Sequence, residues 1–260
     1  MAQNSSDGGP RTIAAVEKAC AIVDSLHEMN GATLTEIADH LDLTPGTVYP
    51  HLATLMQQER VIKQDDHYYT GYRFLTIGET RRRNDVMFEH AMDEIGAFAQ
   101  EANVRMQIYV EEFGQAVCIG IAGGQRSISP VDEVGYRTPL HCIAAGKAML
   151  AEFDQDRVDE HISRRGLSKH TENTITNRAR LVAELKEISD QGYAINDEEY
   201  IPRLRAVGAA VTEEDGSLLG AISASAPVGI LSGRMLSEEL PKDIVGMANT
   251  IEMNISVQSE

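Results

Sequence analysis

Two helix-start signals placed close together near the front of the chain constrain its fold more than any other feature. Thr33-Leu34-Thr35-Glu36 has the form of a capping box, in which Thr33 satisfies an orphan amide while Glu36 reaches back. Thr44-Pro45 is a second start: Thr44 serves as N-cap, and Pro45 takes the first helical position, where a missing N–H costs nothing. Between them there is room only for a short helix through Leu41 and a turn at Asp42-Leu43. Upstream, Val16, Ala19, Val23 and Leu26 recur at three- and four-residue spacing, an apolar stripe on a helix that stops near Asn30-Gly31. In the third helix Val48, Leu52 and Leu55 face inward, leaving Thr47, Pro50, His51 and Thr54 outward. Pro50 cannot donate to the carbonyl of Gly46, so this helix is expected to bend or start loosely. Val61-Ile62-Lys63-Gln64, the polar tip Asp65-Asp66 and His67-Tyr68-Tyr69-Thr70 then form a hairpin. This order is that of a winged helix-turn-helix.

Residues 1–10 are polar and hold nothing to bury, which predicts a disordered tail. The winged domain spans 11–78 and a helical linker 79–103. Within the linker an amphipathic helix from Arg81 to Ala102 places Met87, Ala91, Ile95, Phe98 and Ala102 on one face. From 104 to 260 the period changes. Met106–Glu112 and Gln115–Ala122 read as strands joined at Phe113-Gly114, and Val207–Glu213 and Ser217–Ala226 as a second hairpin turning at Asp215-Gly216. Helices are expected at about His141–Glu152, Asp156–Arg165, Arg178–Gln191 and Glu238–Val257. Strands at both ends with helices between them make an α+β domain on an antiparallel sheet.

Charge then limits the partners. Forty acids against 23 bases give a net charge of −17, and a phosphate-binding protein normally carries a basic face. Residues 1–83 hold 8 bases and 11 acids, a net −3, so most of the acidity lies in the second part. At about 1 M salt the Debye length falls to about 3 Å and self-repulsion is screened, so the composition reads as adaptation to a salt-filled cytoplasm, with an ordinary acidic protein as the plainer reading. No apolar run is long enough for a membrane span and the start lacks an export signal, so a cytoplasmic protein with no membrane partner is expected. Three dispersed cysteines argue for reduced thiols and against a disulfide framework.

Three stretches resemble the IclR family of transcription regulators over about residues 11–257. Leu34-Thr35-Glu36-Ile37-Ala38 through Leu52-Ala53-Thr54-Leu55 to Tyr68-Tyr69-Thr70-Gly71 is similar to the family's DNA-binding half. Gly135-Tyr136-Arg137-Thr138-Pro139-Leu140-His141 runs into Ala144-Ala145-Gly146-Lys147-Ala148-Met149-Leu150-Ala151. The third is Gly192-Tyr193-Ala194-Ile195-Asn196-Asp197-Glu198-Glu199-Tyr200, with Leu204-Arg205-Ala206 and Ile222-Ser223-Ala224-Ser225-Ala226-Pro227; the last two stretches resemble the effector domain. The resemblance implies a GAF-like C-terminal sensor for a small organic acid or related metabolite, and a homodimer or tetramer. It places Ala144, Ala145, Asn196, Ala206, Ser223 and Ser225 in the effector pocket. The family often has an acid at the position of Asn196 and a Cys at that of Ala206, so this pocket lacks that charge and thiol. Free amides at the start of a helix near His141 would suit a carboxylate, and Ser223 and Ser225, two apart on a strand, share a face.

Contacts with double-stranded operator DNA are expected from Thr35, from Thr44, Pro45, Gly46, Thr47, Tyr49 and His51 around the third helix, and from Lys63 and Arg73 beside the hairpin. Gly46 and Pro50 stand where the family commonly has Ser and Arg. Arg81-Arg82-Arg83 reads as a phosphate clamp or, better, as a solvated start to the linker helix, since three like charges in a row cannot all face one partner. His141-Cys142 invites a metal, with Cys118 or Asp197-Glu198-Glu199 as further ligands, but neighbours on a helix point about 100° apart and zinc spacing is missing, so no metal is expected. Cys118 and Cys142 read as small buried groups. Lys147 lacks Walker spacing, and no nucleophile-base arrangement is present, so neither catalytic residues nor a cofactor are expected. The reading is a ligand-responsive regulator sensing a small polar metabolite, such as a sugar acid or other organic acid. The alternative is a small-molecule-binding enzyme or sensor whose degenerate winged domain contacts proteins.

Overall fold

The computed structural model describes residues 11–123 and 133–258. The expected tail at 1–10 lies outside the described residues. The chain divides into two compact units, Met1–Arg81 and Arg82–Glu260.

The first unit packs α1 (Ala14–Glu28), α2 (Leu34–His40) and α3 (Pro45–Gln57) beside a hairpin of β2 (Val61–Gln64) and β3 (His67–Thr70). Ile22, Leu26, Ile37, Ala38, Val48, Leu52, Val61 and Tyr68 form its buried core. Thr33 makes both bonds of the capping box with Glu36. Thr44 accepts from the Thr47 amide at 3.2 Å. A third strand, β1 (Ala32–Thr33), pairs with β3 and went unread because two residues carry no period. Gly31 lies at φ +98° under the Tyr69 ring, a place closed to any side chain. Two expectations change. The buried face of α1 is Ile22, Ser25 and Leu26, while Val16 is exposed. Despite Pro50, α3 runs unbroken, the Thr54 hydroxyl donating to the Pro50 carbonyl at 2.9 Å.

The expected single helix from Arg81 to Ala102 is two helices. α4 (Arg73–Arg83) buries no residue. After Asn84, Asp85 caps α5 (Val86–Ala102) by accepting from the Met87 amide. The expected apolar stripe starts only at Met87, beyond this break, so it carried no mark of the cap at Asp85.

Among the described residues of the second unit, six strands are ordered β6-β5-β4-β9-β8-β7, every pair antiparallel. They are β4 (Arg105–Glu112), β5 (Gln115–Ala122), β6 (Arg137–Pro139), β7 (Ala194–Asp197), β8 (Leu204–Thr212) and β9 (Leu218–Pro227). Four helices lie between β6 and the C-terminus: α6 (Ala144–Ala151), α7 (Gln155–Arg165), α8 (Arg178–Gln191) and α9 (Leu240–Gln258), the last entered through a wider turn at Met235–Glu239. One sheet face carries Met106, Ile108, Val207, Ala209 and Ile222 against α5 and α9. The other carries Tyr109, Ala116 and Ala221 against α6, α8 and the loops beside them. Each fully buried Ile, Leu or Met contributes about 1.5–3 kcal/mol over exposure. Met87 and Ile95 therefore anchor α5, as Ile244 and Ile251 anchor α9.

Candidate nucleic-acid interface and ligand-binding face

In the first unit the tight α2–α3 turn leaves one side of α3 open. Thr35, Thr44, Pro45, Gly46 and Tyr49 are exposed, Tyr49 by 56 %. Thr47 is half-buried and its hydroxyl lies 2.9 Å from that of Thr44, so the pair presents a joined rim at the start of α3. His51, one turn after Thr47 on α3, is half-buried and also lines an apolar groove with Val16, Ala19, Val23, Leu55 and Phe74. Lys63 is exposed on β2, its ammonium 5.1 Å from the Tyr68 ring centre. Arg73 is exposed but opens α4 rather than lying on the hairpin. An exposed helix beside an exposed hairpin, with few cations, suits close hydrogen bonding to a duplex groove better than charge attraction.

In the second unit, Arg82 is no solvated start. Its guanidinium lies 4.4 Å from the Phe88 ring centre and donates to the Ile119 carbonyl at 3.3 Å.

The six residues expected in the pocket share one neighbourhood. Asn196 is paired with Ala206, Ala206 with Ser225, and Gly208 with Ser223. Directly opposed residues, and residues two apart on a strand, point to one side of a sheet. Asn196, Ala206, Ser223 and Ser225 therefore share a face, and all four are buried. Gly208 lies on the same face, where an added Cβ would stand 2.7 Å from the Ala145 amide nitrogen and 2.9 Å from the Ala144 carbonyl carbon. The start of α6 is thus laid directly on β8, made possible by the missing side chain.

That helix begins later than expected. Leu140–Cys142 is a single 3-10 turn, Ile143 is extended, and α6 opens at Ala144 with no side-chain cap. Its first amides have no intrahelical partners. Two residues that went unread complete the face: Gln107 is paired with Ser223, and Arg105 with Ser225. Ser225 donates to Gln107 Oε1 at 3.2 Å and Ser223 to the Val207 carbonyl at 3.2 Å. The signal was available, since Gln107 is a polar residue between Met106 and Ile108 in a strand buried on both faces.

Asn196 is held by the loop after it, its Oδ1 accepting from the Glu199 amide at 2.8 Å. Lys147 is fully buried on α6, reaching Glu199 at 2.5 Å and also Glu184. Burial pushes the Glu199 carboxyl above its ordinary range even with Lys147 alongside. Of the acidic run, Asp197 pairs with Arg205 at 2.6 Å and Glu198 accepts from the Arg203 amide, so neither is poised as a general acid or base. Cys118 and Cys142 are both buried, and burial raises the Cys142 thiol to about 12. Among the described residues no helix is long and apolar enough to cross a membrane.

Residues 15–66 match the model of the IclR helix-turn-helix domain, and residues 89–253 that of the bacterial transcriptional regulator IclR C-terminal domain. A probable HTH-type transcriptional regulator ArcR of Halobacterium salinarum is 31 % identical over 96 % of this chain and 97 % of its own. A putative transcriptional regulator from a Rhodococcus species superposes with a TM-score of 0.82 at 21 % identity, covering 95 % of this chain and 99 % of that one. An IclR homologue from Microbacterium hydrocarbonoxydans, solved with 4-hydroxybenzoate, gives 0.79 at 17 % identity, covering 94 % and 100 %. These relatives and both family models are regulators, which removes the enzyme alternative.

Proposed function

The chain belongs to the IclR family of transcriptional regulators, and from that premise we propose that it binds operator DNA as a homodimer or tetramer and changes its affinity on binding a small polar carboxylate. DNA binding is assigned to residues 11–78, effector binding to 104–260, and the coupling between them to 79–103. Cytoplasmic residence in high salt fits the charge of −17.

One observation carries the effector assignment. Gln107, Asn196, Ser223 and Ser225 are buried polar side chains on one sheet face, beside the uncapped start of α6. Helix amides favour an anion, and the hydroxyl and amide groups suit a hydroxylated skeleton. With no Cys at Ala206 and no acid at Asn196, the face carries a methyl group at the first position and a neutral hydrogen-bonding amide at the second. The 4-hydroxybenzoate bound by the Microbacterium homologue adds aromatic hydroxy acids to the compounds worth testing.

The test is calorimetric titration of the full chain, in about 2 M salt where repulsion is screened, with sugar acids, aliphatic hydroxy acids and aromatic hydroxy acids. One class should bind, and Ser223→Ala and Gln107→Leu should each weaken it by about tenfold, as expected for a lost hydrogen bond of about 1.4 kcal/mol. Binding unaffected by both substitutions would move the effector away from this face. Footprinting on the region upstream of its own coding sequence should show a two-fold symmetric site whose protection the effector alters.

A further inference from the structure

The turn that leads into α6 does more than position the helix. His141 and Cys142 lie in the 3-10 turn Leu140–Cys142 ahead of α6, where successive residues still turn by about 120°. Their ligand atoms come together with one from His170, all three within 4.8 Å of one another. The two imidazoles lie 6.2 Å apart between ring centres.

A second, independent contact sets the chemistry. The carbonyl of Ser168 lies 3.0 Å from His141 Nε2. A carbonyl only accepts, so this nitrogen carries the hydrogen and Nδ1 keeps its lone pair. Imidazoles that bind metals typically donate their other N–H to a carbonyl or carboxylate in this way. The segment carrying His170 is tied down as well. Thr171 and Thr174 donate to the carbonyls of Glu198 and Glu199 at 2.7 and 2.6 Å, and Asn173 donates to that of Asp197 at 3.0 Å. The Tyr200 ring meets His170 edge-on at 4.9 Å.

We propose that His141, Cys142 and His170 form a binding site for a zinc-class divalent cation, with a fourth position left to water or a ligand. Two imidazoles and one thiolate are a soft donor set that selects such ions over magnesium or calcium. Bonds of about 2.0–2.3 Å bring ligand atoms closer than the present spacing by about 1 Å, which the exposed His170 side chain supplies by rotation. Among the described residues the Cys142 thiol makes a long sulfur contact of 3.7 Å to the Pro139 carbonyl, a weak bond for a metal to displace. An ion here would join the lead-in of α6 to the segment strapped over the loop that follows Asn196.

Titration of the metal-free full chain with Co²⁺ tests this. Binding should reach one equivalent per chain, with thiolate-to-cobalt charge transfer in the near ultraviolet and tetrahedral bands in the visible, and Zn²⁺ should displace it. Cys142→Ser should abolish the charge transfer. His170→Ala, at an exposed position that leaves folding intact by circular dichroism, should weaken binding at least about tenfold. Cys20→Ser, which removes the exposed thiol, should change nothing. Absence of charge transfer at millimolar cobalt overturns the proposal, as does binding that survives both ligand substitutions or disappears with Cys20.

Discussion

Lys147 and Glu199 show what a single buried pair does at this face. The lysine side chain is wholly buried, Glu199 meets it at 2.5 Å, and Glu184 is its second partner. Burial is the largest influence on Glu199 and raises its carboxyl above the ordinary 4.5, with Glu184 pushing the same way and Lys147 opposing both. Cys142 is the other titratable group that feels Glu199. A carboxyl with a raised folded pKa contributes stability that is complete below the unfolded value and is lost as pH rises through the folded one. Glu199→Gln should therefore gain stability relative to the native chain as pH rises from 4.5, the ordinary value, through the raised folded one, while Lys147 keeps Glu184. Urea midpoints across that range measure it; a constant difference would mean that Glu199 ionises as it does in the unfolded chain. None of this was legible beforehand, because the three residues of the triad lie far apart in the chain and their meeting depends on α6 lying on the sheet. In the sequence His141 and Cys142 read as neighbours on one helix; they sit in the 3-10 turn before it, and the His170 that approaches them lies too far along the chain for spacing to reveal.

Elements were legible where their signals are local. The two long hairpins show as apolar-rich runs broken by turn residues, and the turns that close them contain Phe113 and Gly114 at φ 52° and 75°, and Gly216 at φ 83°. The start of α3 was read from Thr44-Pro45 alone. The short strands β6 and β7, three and four residues long, lie at opposite edges of the sheet and carry too few positions for a period to show. The seating of α6 on β8 left no pattern except one glycine. Gly208→Ala should expose this element-level dependence, since the new Cβ meets the backbone at 2.7 and 2.9 Å and not the yielding end of a side chain. Overpacking of this kind costs about 1–3 kcal/mol. The start of α6 would lift from Asn196, Ser223 and Ser225, so effector affinity should fall while the separate winged unit keeps its DNA affinity without effector. Denaturant midpoint, effector titration and footprinting together read this. An alanine variant with native stability and effector affinity would show that the helix start can shift without consequence.

At the scale of the whole molecule, the sign of the charge and the task of binding DNA pull in opposite directions. A chain at −17 meets a polyanion, and residues 1–83 are themselves at −3. Ordinary DNA-binding proteins gain much of their affinity from counterions released at each neutralised phosphate, about 0.9 units of salt slope per contact. Lys63 is exposed on β2 and Arg73 at the start of α4, and α3 itself carries no Lys or Arg. With two such contacts per chain, a dimer should show a slope of logarithmic affinity against logarithmic salt of about −4 or shallower. Lys63→Gln should flatten it by about 2 in that dimer, whereas Tyr49→Ala should weaken binding at every salt concentration without altering the slope. Over the same range stability should rise from about 0.1 to 2 M salt as self-repulsion is screened. Binding therefore persists in the regime where the protein is best folded only if hydrogen bonds and shape from α3 and its Thr44–Thr47 rim carry it. Fluorescence anisotropy with the footprinted site at four salt concentrations separates the two accounts. A steep slope unaffected by Lys63→Gln would place the main phosphate contacts on cations other than those of the winged unit's hairpin.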